Sequence, residues 1–221
     1  MFKKFLSAIL SLSLIFSLAV PALAAEPEGN ITYTTVINEE NQTVQAILEN
    51  TVTGEITYGP AVSYAEEVSA TPLVLGADIH QDTFLNFEYD IWTTNPREWN
   101  LERPSQDFFG QYYFRCYENS SNAEYLRTWK DDVDALNNAE WAAIPLLGMA
   151  GFNIVKAAIA SYAAITTGGV LTAEAIASIK SAGKWSASAA VAVGVVCSTY
   201  NNCALSYSDV LNHTDNYHYD K

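Results

Sequence analysis

Basic residues are scarce: 11 Lys and Arg stand against 25 Asp and Glu, a formal net charge of −14 over 221 residues. Nucleic acid is thereby excluded as a partner, because phosphate binding needs a cationic footprint. Cysteine is rarer still, with three in the chain, so at most one internal disulfide can form. The recognisable catalytic patterns are missing altogether. H-E-x-x-H, G-x-S-x-G, the P-loop and the Rossmann fingerprint do not occur. No catalytic, cofactor-binding or metal residue is therefore assigned, and enzymatic activity is not expected. Internal repeats and low-complexity arrays are also lacking.

What is present begins with an export signal at 1–24. Lys3 and Lys4 form its positive start, Phe5 to Val20 its apolar run, and Ala22-Leu23-Ala24 a small-x-small cleavage site. The run is short for a membrane anchor and stops at Pro21. A secreted chain beginning at Ala25 is expected. Losing Lys3 and Lys4 takes its net charge to −16.

The charge is unevenly placed. From Trp141 to Cys203 the charged residues are Lys156, Glu174, Lys180 and Lys184 alone, within arms of Ala, Gly and Val that meet at Thr166-Thr167-Gly168-Gly169. An apolar, weakly cationic hairpin thus follows an acidic head. The organisation expected is an acidic β-rich region at 25–120, a helical region at 121–204 and a polar tail at 205–221.

In the head, Ile31 to Ile37, Thr43 to Leu48 and Glu55 to Tyr58 read as a three-strand meander. Ala61 to Leu75 reads as an irregular or short helical connection. Phe84 to Trp92 alternates, with Leu85, Phe87, Tyr89 and Ile91 on one face, which predicts a half-buried strand. Asn95-Pro96 and Arg103-Pro104 bracket a loop holding Trp99 and Leu101, and Phe108 to Tyr117 supplies a further aromatic strand.

A capping box at Ser121-Asn122-Ala123-Glu124 opens an amphipathic helix. Its buried stripe is Leu126, Trp129, Val133, Leu136 and Glu140. Pro145 should end or kink it, since proline lacks an N–H and pushes Ile144 out of helical geometry. The first hairpin arm, Pro145 to Thr166, contains Gly148 and Gly151 and would measure roughly 33 Å if helical, enough for a bilayer core. Lys156 near its middle makes insertion marginal. The second arm, capped by Thr172 and reaching about Ser198, carries Ser178, Ala182, Ser186, Ala190 and Gly194 at every fourth position. That ridge of small side chains would let another helix approach closely. The fold class expected is therefore α+β: a meander and aromatic strands, then an amphipathic helix and an Ala/Gly-rich helical hairpin.

Cys197 and Cys203 enclose a polar segment, Ser198 to Asn202, and are expected to pair, leaving Cys116 free and buried; the alternative is two reduced thiols. Asp78-Ile79-His80-Gln81-Asp82 places carboxylates beside an imidazole but reads as a solvated turn. His213, Asp215, His218 and Asp220 could hold Zn or Ca, yet a terminal polar tail is the simpler reading.

Several runs together carry a resemblance: Gln81 to Ile91, Trp99-Asn100-Leu101-Glu102-Arg103-Pro104, Tyr112-Tyr113-Phe114-Arg115 and Glu118 to Asn122, followed by the Gly/Ala-rich hairpin. Over roughly 80–205 the chain resembles the large, unmodified, heat-labile geobacillin-type bacteriocins of Bacillus-related bacteria. The resemblance implies a secreted antibacterial protein acting on related Gram-positive cells, with their membrane or a cell-envelope receptor as partner and an immunity protein in the producer. No functional residue transfers from it. The acidic balance departs from the cationic habit of small antimicrobial peptides. The alternative is a secreted cell-surface or interaction protein whose hairpin is ordinary core, and a small secreted hydrolase is a minor third reading.

Overall fold

The computed structural model describes residues 30–65, 77–104, 111–215 and 217–218. The expected signal, most of the Ala61 to Leu75 connection and Asp220 lie outside them. The fold is α+β, with two antiparallel sheets preceding a helical layer.

Strands β1 (Ile31–Asn38), β2 (Thr43–Asn50) and β3 (Ile56–Tyr58) form the expected meander, and β4 (Val62–Ser63) also pairs with β2. Along β1, half-buried and exposed residues alternate, because the sheet covers helices with one face only. The second sheet runs in the order β5 (Ile79–Asp82), β6 (Glu88–Trp92), β7 (Glu98–Pro104), β8 (Gln111–Tyr117) and β9 (Tyr217–His218).

Two expectations for this sheet change. Phe84 to Phe87 is a turn rather than strand, because Asn86 takes φ 62° and Thr83 Oγ1 bonds both the Phe87 N–H and its carbonyl. Leu85 and Phe87 are still buried, as the alternation required. Trp99 and Leu101 lie on a central strand instead of in a loop, with Trp99 1% and Leu101 0% exposed.

Helix α1 (Ala123–Ala163) buries the whole stripe from Leu126 to Glu140 against the second sheet. Its start differs from the expected capping box: Asn122 is the cap residue and makes no side-chain cap bond to the helix. Its Oδ1 instead accepts from the Asn119 N–H, so the amide closes the preceding turn. The break expected at Pro145 falls at Gly148 (φ 69°, ψ 163°), a conformation open almost only to glycine.

A 3-10 turn at Thr167–Gly169 leads to α2 (Ala173–Ala182), where the Thr172 side chain accepts the Ala175 N–H as a cap. The second arm then breaks at 183–186, and α3 (Ala187–Asn212) starts afresh with Ser186 as its cap. The small-residue ridge is therefore discontinuous, since Ser186 lies outside both helices. Helix α3 runs on past Cys203, so 205–212 of the expected polar tail is helical, with Tyr207 and Val210 buried.

Cys197 and Cys203 are both unpaired and buried on α3, which corrects the expected disulfide. Six residues of helix separate them by about 9 Å along the axis, beyond the ~7 Å Cα limit for a bridge. The intervening Asn201 is occupied elsewhere: its Oδ1 accepts the Leu171 N–H and its Nδ2 donates to the Leu171 carbonyl. Cys116 is buried, as expected. Burial pushes the Cys116 and Cys197 thiols up to about 12, which leaves them inert at neutral pH.

Candidate functional site

The helical hairpin is held by two kinds of packing. The first sheet lies on the second half of α1 and on α2, where side chains are small and hydroxyls do the joining. Ser161 Oγ accepts the Ala46 N–H at 2.8 Å and donates to the Pro60 carbonyl at 2.7 Å. Backbones approach closely here, and a Cβ on Gly59 would fall 2.5 Å from the Ser161 carbonyl oxygen. Thr35, Tyr162 and Ser178 join their hydroxyls in a ring spanning β1, α1 and α2.

Of the residues singled out beforehand, Ser178 thus bonds the sheet rather than serving a helix ridge. A Cβ added to Gly194 would fall 3.5 Å from the Lys180 stem, and Ala182 and Ala190 are half-buried. Gly151 abuts the Trp185 ring, whose nearest carbon would be 3.2 Å from an added Cβ. Lys156 is half-buried and faces the carboxyl of Glu140 electrostatically.

The Gly151–Trp185 contact brings the two helix breaks together at one end of the hairpin. In the chain flanking these breaks apolar side chains stand in solvent: Leu146 is 49%, Met149 39% and Val191 62% exposed, with Trp141 about two turns before Gly148 on α1 at 61%. Lys184 is exposed beside Trp185. The 18-residue windows of α1 and α3 that are long and apolar enough to cross a membrane are only 33% and 39% buried. A Trp and a Lys beside exposed aliphatic groups suit a lipid–water boundary, where one part of each residue is apolar and another wet.

Glu140 marks the other side of this end. Its two oxygens accept the Phe84 and Leu85 N–H groups at 2.8 and 2.9 Å, pinning the β5–β6 turn to α1. Burial pushes its carboxyl up to about 8, against the opposing pull of those two bonds and Lys156.

No protein-family model, curated protein or solved structure matches this chain.

A second constellation was missed by sequence reasoning. On β6, Tyr89 and Ile91 point into the core, so Glu88 and Asp90 stand on the outer face of the sheet. Both are nonetheless buried, at 2% and 0% exposed. His80, directly opposite Asp90 in the ladder, places Nδ1 2.9 Å from Asp90 Oδ1 and 3.6 Å from Glu88 Oε1. From β7, Asn100 Nδ2 donates to Asp90 Oδ2 at 3.2 Å and Glu102 Oε1 at 2.8 Å. Burial, reinforced by Glu102 and Asp90, pushes Glu88 up to about 7, and Glu102 is raised mainly by its own burial.

The segment expected to be a solvated turn is therefore a paired strand whose histidine meets buried acids. The available signal was the spacing His80, Glu88, Asp90, Asn100 and Glu102, whose polar residues share one face once the hairpin register is known. The tail cluster, set aside in favour of a polar tail, is not formed by His213, which stacks on Tyr125 at 3.8 Å with Nδ1 2.8 Å from the Asp209 carbonyl.

Proposed function

We propose that this chain is an exported antibacterial protein that perturbs the membrane of related Gram-positive cells through the apolar end of its helical hairpin. The supporting observation is the joint exposure of Leu146, Met149 and Val191 where the α1 and α2–α3 breaks meet. Scattered exposed hydrophobes need no explanation, but a group at one end of two weakly buried apolar helices does. The resemblance to geobacillin-type bacteriocins points the same way and supplies the target class. The mode of action proposed is non-enzymatic. A receptor in the target envelope would bring an acidic protein to an anionic surface that its net charge opposes, and an immunity protein would protect the producer.

Dye-loaded vesicles of phosphatidylglycerol and cardiolipin test the reading. The purified chain should release dye, and the double variant Leu146→Ser with Met149→Ser should lose that release while keeping its fold. Growth inhibition of Bacillus-related strains should fall in parallel. Undiminished release and killing by the folded double variant would sink the proposal.

A second reading has an observation of its own, because Ala157 to Ala163 is buried without interruption. On that reading the hairpin is ordinary core in a secreted interaction protein. It predicts that both arms keep full hydrogen-exchange protection in the presence of vesicles and that no related strain is inhibited.

A further inference from the structure

We propose that the outer face of the second sheet binds one divalent transition-metal ion through His80, Glu88 and Asp90. Their ligand atoms all lie within 4.8 Å of one another. Donors held at about 2.0–2.3 Å from a single ion have separations within that limit. The three come from adjacent strands, β5 and β6, in which His80 pairs with Asp90 and Glu88 with Asp82. Ladder hydrogen bonds thus fix the donors more firmly than a loop would.

A cluster of acids could exist for other reasons, but Asn100 adds an independent sign. It faces Asp90 across the ladder, so its side chain shares the same outer face. The residue is 3% exposed, and its Oδ1 is buried with no hydrogen-bond partner among the described residues. The nitrogen of that same amide touches Asp90 and Glu102. A buried carbonyl oxygen beside buried carboxylates is an acceptor crowded among acceptors, and leaving it unpaired is costly. A cation held by His80, Glu88 and Asp90 would offset the charge of the buried carboxylates that this amide touches.

The donor set indicates which cation. An imidazole nitrogen with two carboxylates suits a first-row divalent ion such as zinc, whereas calcium and magnesium take oxygen ligands. The His80 side chain is 29% exposed, which gives the ion an entry path and leaves a position for water. Bound there, the ion would clamp the β5–β6 hairpin to β7. This inference does not depend on the antibacterial reading, because it concerns the head rather than the hairpin.

Cobalt(II) absorption titration of the chelator-treated chain provides the test, with zinc as competitor. One equivalent should give visible bands that zinc displaces, and zinc at a hundredfold excess over Kd should raise Tm by about 5–10 °C. His80→Ala and Asp90→Asn should each weaken binding at least tenfold, while joint replacement of His213 and His218 by Ala should not. Should a ligand variant fail to fold, the zinc-induced shift of the His80 ring nitrogens in the parent chain decides instead. Absent cobalt bands, bands that survive His80→Ala, an unshifted His80 ring, or an equal Tm rise with calcium would each overturn the proposal.

Discussion

Against the second sheet the helices present several large rings; against the first they present alanine, serine and a single buried ring, Tyr162. Phe87 packs edge-on to both Trp129 and Tyr200, and Tyr207 meets Trp129 and Phe114 in the same way. Such an interface is stabilised by volume, so a single truncation opens a cavity. The first sheet instead meets α1 and α2 through close backbone approach and hydroxyl bonds, at Ser161 and at the Thr35–Tyr162–Ser178 ring. Each such bond contributes only about 0.5–1.5 kcal/mol net, because water offers a comparable partner. The two ends of one helix are therefore held by interactions of different durability. Release of the hairpin at a membrane would begin on the hydroxyl side and leave the aromatic side intact.

The largest test of this contrast is Trp129→Ala, which should cost about 3–5 kcal/mol in urea unfolding. Its buried Nε1 has no partner among the described residues, so the loss should fall toward the lower end. A cost below about 1 kcal/mol would show that the aromatic side is not the durable one.

Next in size is the pH dependence carried by Glu140. Folded, its carboxyl titrates at about 8; unfolded, at about 4.3. Between those values the folded state holds a proton that the unfolded state lacks. The group's contribution is thus fully present below about pH 4 and is lost as pH rises through about 8. Lys156 and Asp82 are the charges that face it, with opposite effects. Relative to the parent, Glu140→Gln should flatten the stability profile across that window by on the order of 5 kcal/mol. Parallel profiles for parent and variant would show that the β5–β6 turn is held by an ionised carboxylate.

Smaller again is Ser161→Ala. It leaves the Ala46 N–H and the Pro60 carbonyl without their partner, at about 1–3 kcal/mol. On the durability argument it should also speed hydrogen exchange in β2 and the second half of α1 while sparing β6 and β7. Uniform acceleration across both sheets would break the comparison.

The difference between the two sides also governs what was legible in the sequence. The Leu126 to Glu140 stripe and the alternation of Phe87, Tyr89 and Ile91 announce large buried side chains, and all of them are buried. The small-residue arms announce far less, because alanine and glycine are compatible with a continuous helix, a broken one or a bilayer span. Gly148 and the 183–186 break interrupt what reads as two unbroken arms; the second break lies at Gly183, where an added Cβ would overlap the Trp185 ring, and at Lys184 with φ 49°, and Trp185 then packs on Gly151. Cys197 and Cys203 misled for a related reason. Their polar intervening residues look like a loop, yet Thr199 bonds back to the Val195 carbonyl and Asn201 serves Leu171, so polar groups are satisfied inside a helix. The His80 cluster was hidden by register: residues 80, 88, 90, 100 and 102 converge only when three strands are aligned.

The smallest effect on stability should carry the largest effect on function. Leu146 and Met149 sit beside Gly148 in solvent, make no part of the aromatic core, and can become serine at a cost within about 0.5 kcal/mol. If the weakly held side of the hairpin is the one that meets lipid, the double variant should unfold at the parent's urea midpoint yet lose most dye release. Gly148→Ala sharpens the same point. An added Cβ meets nothing within 4 Å, so only the φ of 69° resists it, at about 1–3 kcal/mol. A variant that straightens α1 there would set Leu146 and Met149, three residues apart, on one face of an unbroken helix and so re-aim both relative to Val191 and Trp185. Release should then fall even though neither side chain has changed, whereas release that depends on composition alone would persist.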